Sequence, residues 1–174
     1  FRYHGKPLPA LKSLDAPQRV IYAGTFSKAL FPALRCAWLV LPVKQIAQFR
    51  HQASLAPCAV PVLWQNTLAD FLREGHFWRH LKKMRQHYAQ RRQWIEQALT
   101  QQGFQVVPQK GGIQMVIRMI GDDIAHARKA NAAGLAVQAL SDWRIRSSGE
   151  GGLLLSFTNI VNEGMARQVA QQLR

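Results

Sequence analysis

Ala23-Gly24-Thr25-Phe26-Ser27-Lys28-Ala29-Leu30-Phe31-Pro32-Ala33-Leu34-Arg35 is the stretch that decides how this chain is read. Ahead of it, residues 19–23 predict a short strand, and residues 24–28 the turn that leaves it. Behind it, residues 36–41 form a continuous apolar run closed by Pro42, the pattern of a strand buried on both faces. A strand therefore delivers a lysine to a turn, with hydroxyls three and one residues before it and an arginine seven residues after it. A lysine amine that can lose its proton attacks carbonyl carbon, and a cationic, partly desolvated setting lowers its pKa. An arginine keeps its charge and donates two parallel hydrogen bonds, which suits a phosphate. Taken alone, such a lysine reads as a solvated surface residue, and Thr25 as a hydroxyl that satisfies the turn backbone.

Working outward, residues 1–18 are polar and punctuated by Pro7, Pro9 and Pro17, which predicts an extended loop. Helices are expected over 43–54 and 62–73, separated by a break at Pro57 and Pro61. The clearest element is a long helix over 76–101, where Phe77, Leu81, Met84, Tyr88, Ile95 and Leu99 fall on one helical stripe. Its other face carries Arg79, Lys82, Lys83, Arg85, Arg91 and Arg92, a solvated basic surface, and Gly103 closes it as a C-cap. Beyond it, strands are expected over 104–107, 112–119, 135–140 and 153–160, with helices over 122–133 and 163–173. The long helix thus joins two α/β lobes, with divisions at 1–75, 76–103 and 104–174.

Composition narrows the function classes. A chain of 174 residues with 48% hydrophobic and 18% charged residues has the make-up of a soluble globular protein of one domain or two small lobes. No run approaches the roughly 20 apolar residues of a membrane span. The sequence opens Phe1-Arg2-Tyr3 without a leader, and Cys36 and Cys58 lack the partners of a disulfide framework or a zinc site. A reducing cytoplasm is the expected compartment. The net charge of +14 fits a polyanion partner, yet no helix-turn-helix, zinc-finger or RNA-binding signature accompanies it. His76 and His80, four apart on the long helix, lack the carboxylate of a metal motif and read as helix surface, so no metal is expected. Gly149-Glu150-Gly151-Gly152 reads as a hairpin or loop, and Trp64, Trp78 and Trp94 as core or dimer contacts.

The segment 23–35, followed by Trp38-Leu39-Val40-Leu41-Pro42, resembles the cofactor-lysine segment of fold-type I aminotransferases. More narrowly it resembles the MocR/GabR-type regulators, which fuse a GntR-type winged-helix DNA-binding domain to an aminotransferase-like domain. The opening Phe1-Arg2-Tyr3-His4-Gly5-Lys6-Pro7-Leu8-Pro9-Ala10-Leu11 is similar to a stretch that precedes the lysine there. Gly111-Gly112-Ile113 and Gly152-Leu153-Leu154-Leu155-Ser156-Phe157 fit the same family's C-terminal lobe, so the resemblance covers nearly the whole chain.

The resemblance implies an α/β fold, the C-terminal portion of a fold-type I pyridoxal-phosphate (PLP)-dependent transferase. Part of the large-domain sheet, the long connecting helix and a small α/β lobe are its expected pieces. It implies that Lys28 holds PLP as a Schiff base, that Arg35 binds the phosphate, and that Thr25 and Ser27 assist; Tyr22 and Gly24 serve the strand and its turn. Two departures follow from it. The Asp that meets the pyridine nitrogen and the Tyr that meets the ring hydroxyl fall before Phe1. The arginine that binds a substrate carboxylate falls where this chain has Leu154, with Asn159 a little further on. Arg144 and Arg146 lie near in sequence without a motif that puts them in a site. The implied function is an effector domain that senses a small amine, an amino acid or PLP, works as a homodimer, and reaches DNA only through an N-terminal domain. By itself the segment is expected to bind PLP weakly and to be inactive. Three alternatives stay open: a genuine class I/II aminotransferase, marked by turnover; a basic nucleic-acid-binding module, marked by steeply salt-dependent binding; and a folded scaffold without activity.

Overall fold

Asp15 sets where the first strand begins. Its carboxylate accepts the amides of Arg19 and Val20, both at 2.8 Å, and the Lys12 ammonium at 3.2 Å. The two backbone hydrogen bonds, helped by Lys12, hold its carboxyl below the usual carboxylate range despite partial desolvation. Those amides are spent outside any ladder, so β1 runs Tyr22–Thr25, later than the expected 19–23. Gly24 and Thr25 are consequently strand residues and not the turn. β1 pairs antiparallel with β2 (Ala37–Val40), from Tyr22↔Val40 to Thr25↔Ala37. The expectation of a strand buried on both faces fails here, because Trp38, Leu39 and Val40 are 38–52% exposed. The two strands form a two-stranded ribbon, and among the described residues no further strand extends it. This computed structural model describes residues 1–55, 60–145 and 149–174; Pro57, Cys58 and Arg146 lie outside the described residues.

Pro42 opens a 3-10 turn over Val43–Gln45, its carbonyl accepting Gln45 N at 2.9 Å, before α1 (Ile46–Leu55). The expected helix over 43–54 therefore begins as the tighter form. Pro61 caps α2 (Val62–Arg73), and its carbonyl takes the amides of Trp64 and Gln65. α3 (His76–Gln101) has the expected bounds. Phe77, Ile95 and Leu99 of its stripe are buried, and Leu81, Met84 and Tyr88 half-buried. It ends in a Schellman turn, with Gly103 N on Thr100 O and Phe104 N on Leu99 O, both at 3.0 Å.

The basic face of α3 is less solvated than the sequence suggests. Arg92 is 6% exposed. It lies four residues after Tyr88 and three before Ile95, inside the gap of the apolar stripe, so helical geometry turns it inward. Its Nε donates to Glu96 at 3.3 Å and its guanidinium lies over the Tyr3 ring at 5.8 Å. Arg91 donates to the Thr158 carbonyl.

Contacts group the chain into two units: Lys6–Leu81, and Phe1–Gly5 with Lys82–Arg174. The first residues are therefore not all loop. Arg2 bridges Gly111, Tyr3 N donates to Lys110 O at 2.9 Å, and Tyr3 OH donates to Gly112 O at 2.7 Å. Burial pushes the Tyr3 phenol up to about 12, against the pull of Arg92. A 3-10 helix over Leu11–Leu14 interrupts the rest of the expected loop.

In the second unit, strand alternation builds the core. β3 (Gln105–Val106), β4 (Gln114–Met119), β5 (Val137–Ala139) and β6 (Gly151–Ser156) form an antiparallel sheet of order β3-β4-β6-β5. Met115 and Ile117 of β4 and Leu153 and Leu155 of β6 are at most 3% exposed, whereas Gln114 and Arg118 face solvent. These residues share one cluster with Ile95 and Leu99 of α3, Ala127 and Ala130 of α4 (Asp123–Ala132), and Ala166 and Ala170 of α5 (Glu163–Gln172). Asp122 and Asn162 cap α4 and α5, accepting Ala125 N and Met165 N. β6 starts two residues before the expected 153 and ends at Ser156, ahead of a turn in which Ile160 N donates to Phe157 O. Asn131 donates its amide to Val137 O at 3.0 Å and accepts Val137 N at 2.9 Å, beside the edge strand β5. Among the described residues no helix is long and apolar enough to cross a membrane.

Leu99 tests this core. Leu99→Ala should cost about 2–5 kcal/mol, the range for a fully buried leucine, while Lys83→Asp on the exposed side should be nearly silent. Denaturant unfolding of the two variants would show it; equal losses would mean the stripe faces elsewhere.

Candidate functional site

The end of β1 and the loop that joins it to β2 carry the four residues singled out by the sequence, Thr25 on the strand and Ser27, Lys28 and Arg35 beyond it. Phe26 N donates to Cys36 O at 3.1 Å, which closes the loop at its base. Just inside that closure, Ala29 N and Leu30 N both turn back to Phe26 O, at 3.1 and 2.7 Å, so Lys28 sits in a single helical turn. On the return side a 3-10 turn over Pro32–Leu34 ends at Arg35, whose φ of 49° and ψ of 33° place it in the left-handed region. That conformation costs a non-glycine residue about 1–2 kcal/mol, and it is held by Arg35 N donating to Pro32 O at 3.2 Å. Lys28 and Arg35 thus stand near the two ends of one closed loop. Both side chains are exposed, and neither forms an ion pair among the described residues.

The two hydroxyls are arranged unequally. Thr25 Oγ1 accepts Ser27 N at 3.2 Å and has one proton to share between Ser27 Oγ at 3.0 Å and Cys36 O at 3.3 Å. Ser27 keeps its own hydroxyl proton for an acceptor outside the loop. The loop thereby offers a guanidinium fork, a hydroxyl donor and a primary amine, the donor set that a phosphate beside a carbonyl group requires. Beneath it, a Cβ on Gly24 would stand 2.2 Å from the Trp38 ring, so glycine is needed where the indole crosses the strand, and Tyr22 meets the same ring edge-on at 5.1 Å.

His80 is the residue that sequence reasoning missed. Read as helix surface, it instead hydrogen-bonds through Nε2 to the carbonyl of Ala29, the residue after Lys28, at 2.9 Å. Phe26 packs edge-on against Phe77 at 5.8 Å on the same helix. No local pattern announces a contact across 51 residues. His76 turns elsewhere, to Glu74 at 2.9 Å and Arg79 at 2.8 Å, so the two histidines do not converge. Among the described residues no three His, Cys, Asp or Glu gather as a metal site.

In the other unit, Leu154 is half-buried and pairs across to Val116 and Gln138. The nearby cations are engaged with Glu150: Arg118 with its carboxylate at 2.8 Å and Arg144 with its carbonyl. Leu154 borders a shallow hollow of about 450 Å³ with Gln114, Asn131, Gln138 and Ser156, whose polar groups are neutral. Asn159 is exposed.

The family model for aminotransferase class I and II matches residues 4–149. The probable rhizopine catabolism regulatory protein MocR of Rhizobium meliloti is 34% identical over 92% of this chain and 34% of its own length. The pyridoxine biosynthesis transcriptional regulator PdxR of Corynebacterium glutamicum is 29% identical over 90% of this chain and 35% of its own. The chain thus spans about a third of the length of these relatives. The crystal structure of Pyrococcus horikoshii kynurenine aminotransferase, solved in complex with PMP, superposes with a TM-score of 0.85 at 25% identity, over 99% of this chain and 44% of that one. The match runs across the Lys28 loop and the fold around it is that of fold-type I aminotransferases: the chain belongs to the class I and II aminotransferase family.

Proposed function

We propose that this chain is the PLP-binding part of the effector domain of a MocR-type transcriptional regulator. The observation that carries the reading is the closed loop that presents Lys28 and Arg35 together with a spare Ser27 proton. When bound, PLP supplies an aldehyde that captures primary amines and an electron-withdrawing ring. Lys28 Nζ would hold that aldehyde. Arg35 would grip the phosphate with its fork, Ser27 would donate its hydroxyl to it, and Thr25 would share its proton between the loop and the ligand. His80 would fix the Ala29 carbonyl and so the turn that carries Lys28.

The ligand sensed would be a small amine, an amino acid or PLP itself, in a homodimer that contacts DNA through a further domain. In the whole protein, residues 1–75 would belong to the large domain, 76–103 to the connecting helix and 104–174 to the small lobe. Leu154 favours sensing over turnover, since no guanidinium stands at that place on β6 to take a substrate carboxylate. A true aminotransferase is the second reading, and steady turnover of an α-amino acid would favour it. Borohydride reduction of the full-length protein, followed by peptide mapping, tests the site. A pyridoxyl mass on the peptide that contains Lys28 is expected; a label on another lysine with Lys28 clean would overturn the assignment.

A further inference from the structure

The segment that follows Lys28 shares a wall with an apolar hollow. Leu30, Phe31 and Leu34, which lie between Lys28 and Arg35, line one side of a cavity of about 360 Å³, and Trp64, Leu68 and Phe71 of α2 line the other. The three α2 residues recur at spacings of four and three, so they fall on one helical face. Three aromatic rings thus border one space, and Phe31 and Trp64 are still 52% and 50% exposed. The charges at its rim have one sign. Asp70 and Glu74, one turn apart, border the hollow, and among the described residues no Lys or Arg does, in a chain of 23 Lys and Arg against nine Asp and Glu. Asp70 accepts Arg73 through Oδ1 at 2.5 Å and Glu74 accepts His76 through Oε2 at 2.9 Å, so Asp70 Oδ2 and Glu74 Oε1 have no partner among the described residues. Both pairs are solvent-exposed, where such contacts are weak and readily shared with a ligand. His76 accepts Arg79 at Nδ1 while donating to Glu74, which makes it a neutral imidazole.

We propose that this hollow binds a small aromatic cation, a protonated arylalkylamine or a quaternary ammonium, with its ring among Phe31, Trp64 and Phe71 and its head at Asp70 and Glu74. Three features select that class. The walls are apolar below the rim, so a ring gains by leaving water. Aromatic faces attract a cation through their quadrupole. The free carboxylate oxygens admit a cation and repel the carboxylates and phosphates that the rest of this basic chain attracts. Because one wall is the segment between Lys28 and Arg35, an occupant would bear on the loop that carries Lys28 without engaging its amine. The site stands apart from Lys28 Nζ and does not rest on the PLP reading.

Phenyltrimethylammonium is the probe, since it has no N–H and forms no imine with an aldehyde. Calorimetric titration of the full-length protein at matched ionic strength should show saturable binding, with phenylacetate about tenfold weaker or more. In the double variant Asp70→Asn/Glu74→Gln, which keeps the shape of the rim and removes its charge, affinity for the ammonium should fall about tenfold. Circular dichroism would confirm that this variant is folded. Lys28→Ala should bind the ammonium as the unsubstituted protein does. Absence of saturable binding would mean that the rest of the chain or a second copy fills the hollow. Equal affinity for phenylacetate, an unchanged affinity in the double variant, or a loss in Lys28→Ala would place the probe elsewhere. Each of these results would overturn the proposal.

Discussion

Replacing Asp123 by alanine is expected to lower the stability of the C-terminal unit by about 2–6 kcal/mol, because two amides lose their common acceptor and each buried orphan costs roughly 1–3 kcal/mol. Asp123 is 2% exposed and stands at the first turn of α4. One oxygen, Oδ2, accepts Gly152 N at 2.9 Å and Ser141 N at 3.2 Å, so a single carboxylate ties α4 to β6 and to the turn after β5. Burial by itself would raise its pKa. The hydrogen bonds from Gly152 and Ser141, with the charge of Arg144, outweigh that and leave it below the usual range. The folded-state pKa therefore lies under the unfolded one. The contribution to stability is complete above the unfolded value of about 3.9, and it is lost as the pH falls through the lower folded value. The alanine variant should thus show a shallower acid dependence as well as a lower neutral stability. Hydrogen exchange at the Gly152 and Ser141 amides would measure both. Unchanged protection of these amides at neutral pH would show that Asp123 is not their anchor.

Arg35 allows a cleaner separation of side chain from backbone. In the full-length protein, Arg35→Ala should weaken PLP binding by about 10- to 100-fold, the equivalent of one charge-assisted bidentate contact of roughly 1.5–3 kcal/mol. Binding of unphosphorylated pyridoxal should hardly change. Arg35→Gly should lose PLP to the same extent, yet relieve the left-handed backbone at this position and raise thermal stability. Equal losses for PLP and pyridoxal in both variants would mean that Arg35 acts on the loop and not on a phosphate.

How much of this was legible in the sequence depended on how local each signal is. The stripe of α3 repeats over 26 residues, so its bounds could be read directly. Arg92 broke the reading because arginine scores as surface, although its position between Tyr88 and Ile95 points inward. The loop residues Thr25, Ser27, Lys28 and Arg35 were legible as a chemical set, since they are consecutive or nearly so. Their closure through Phe26 and Cys36, and the His80 anchor, depend on pairings that span 10 and 51 residues. Gly151 and Gly152 belong to a flexible glycine-rich stretch that suggests a hairpin or loop. They lie in β6, where a Cβ on Gly152 would stand 2.6 Å from the Ile117 carbonyl, so only glycine fits that close approach. For β2 the apolar run gave strand correctly, but exposure is a property of what lies alongside, which the run does not encode.

The side-chain clip between Asn131 and Val137 has a bearing on how this protein behaves in a crowded solution. β5 ends its sheet, and a terminal strand with unpaired amides and carbonyls is a template on which another chain can crystallise in one dimension. Asn131 imitates a neighbouring strand by engaging the amide and the carbonyl of Val137 at once. The rim is thereby finished by a residue of the same chain, at the first residue of an edge only three residues long. An aspartate there could accept the amide but not serve the carbonyl, and the rim would stand half open to the strand of another chain.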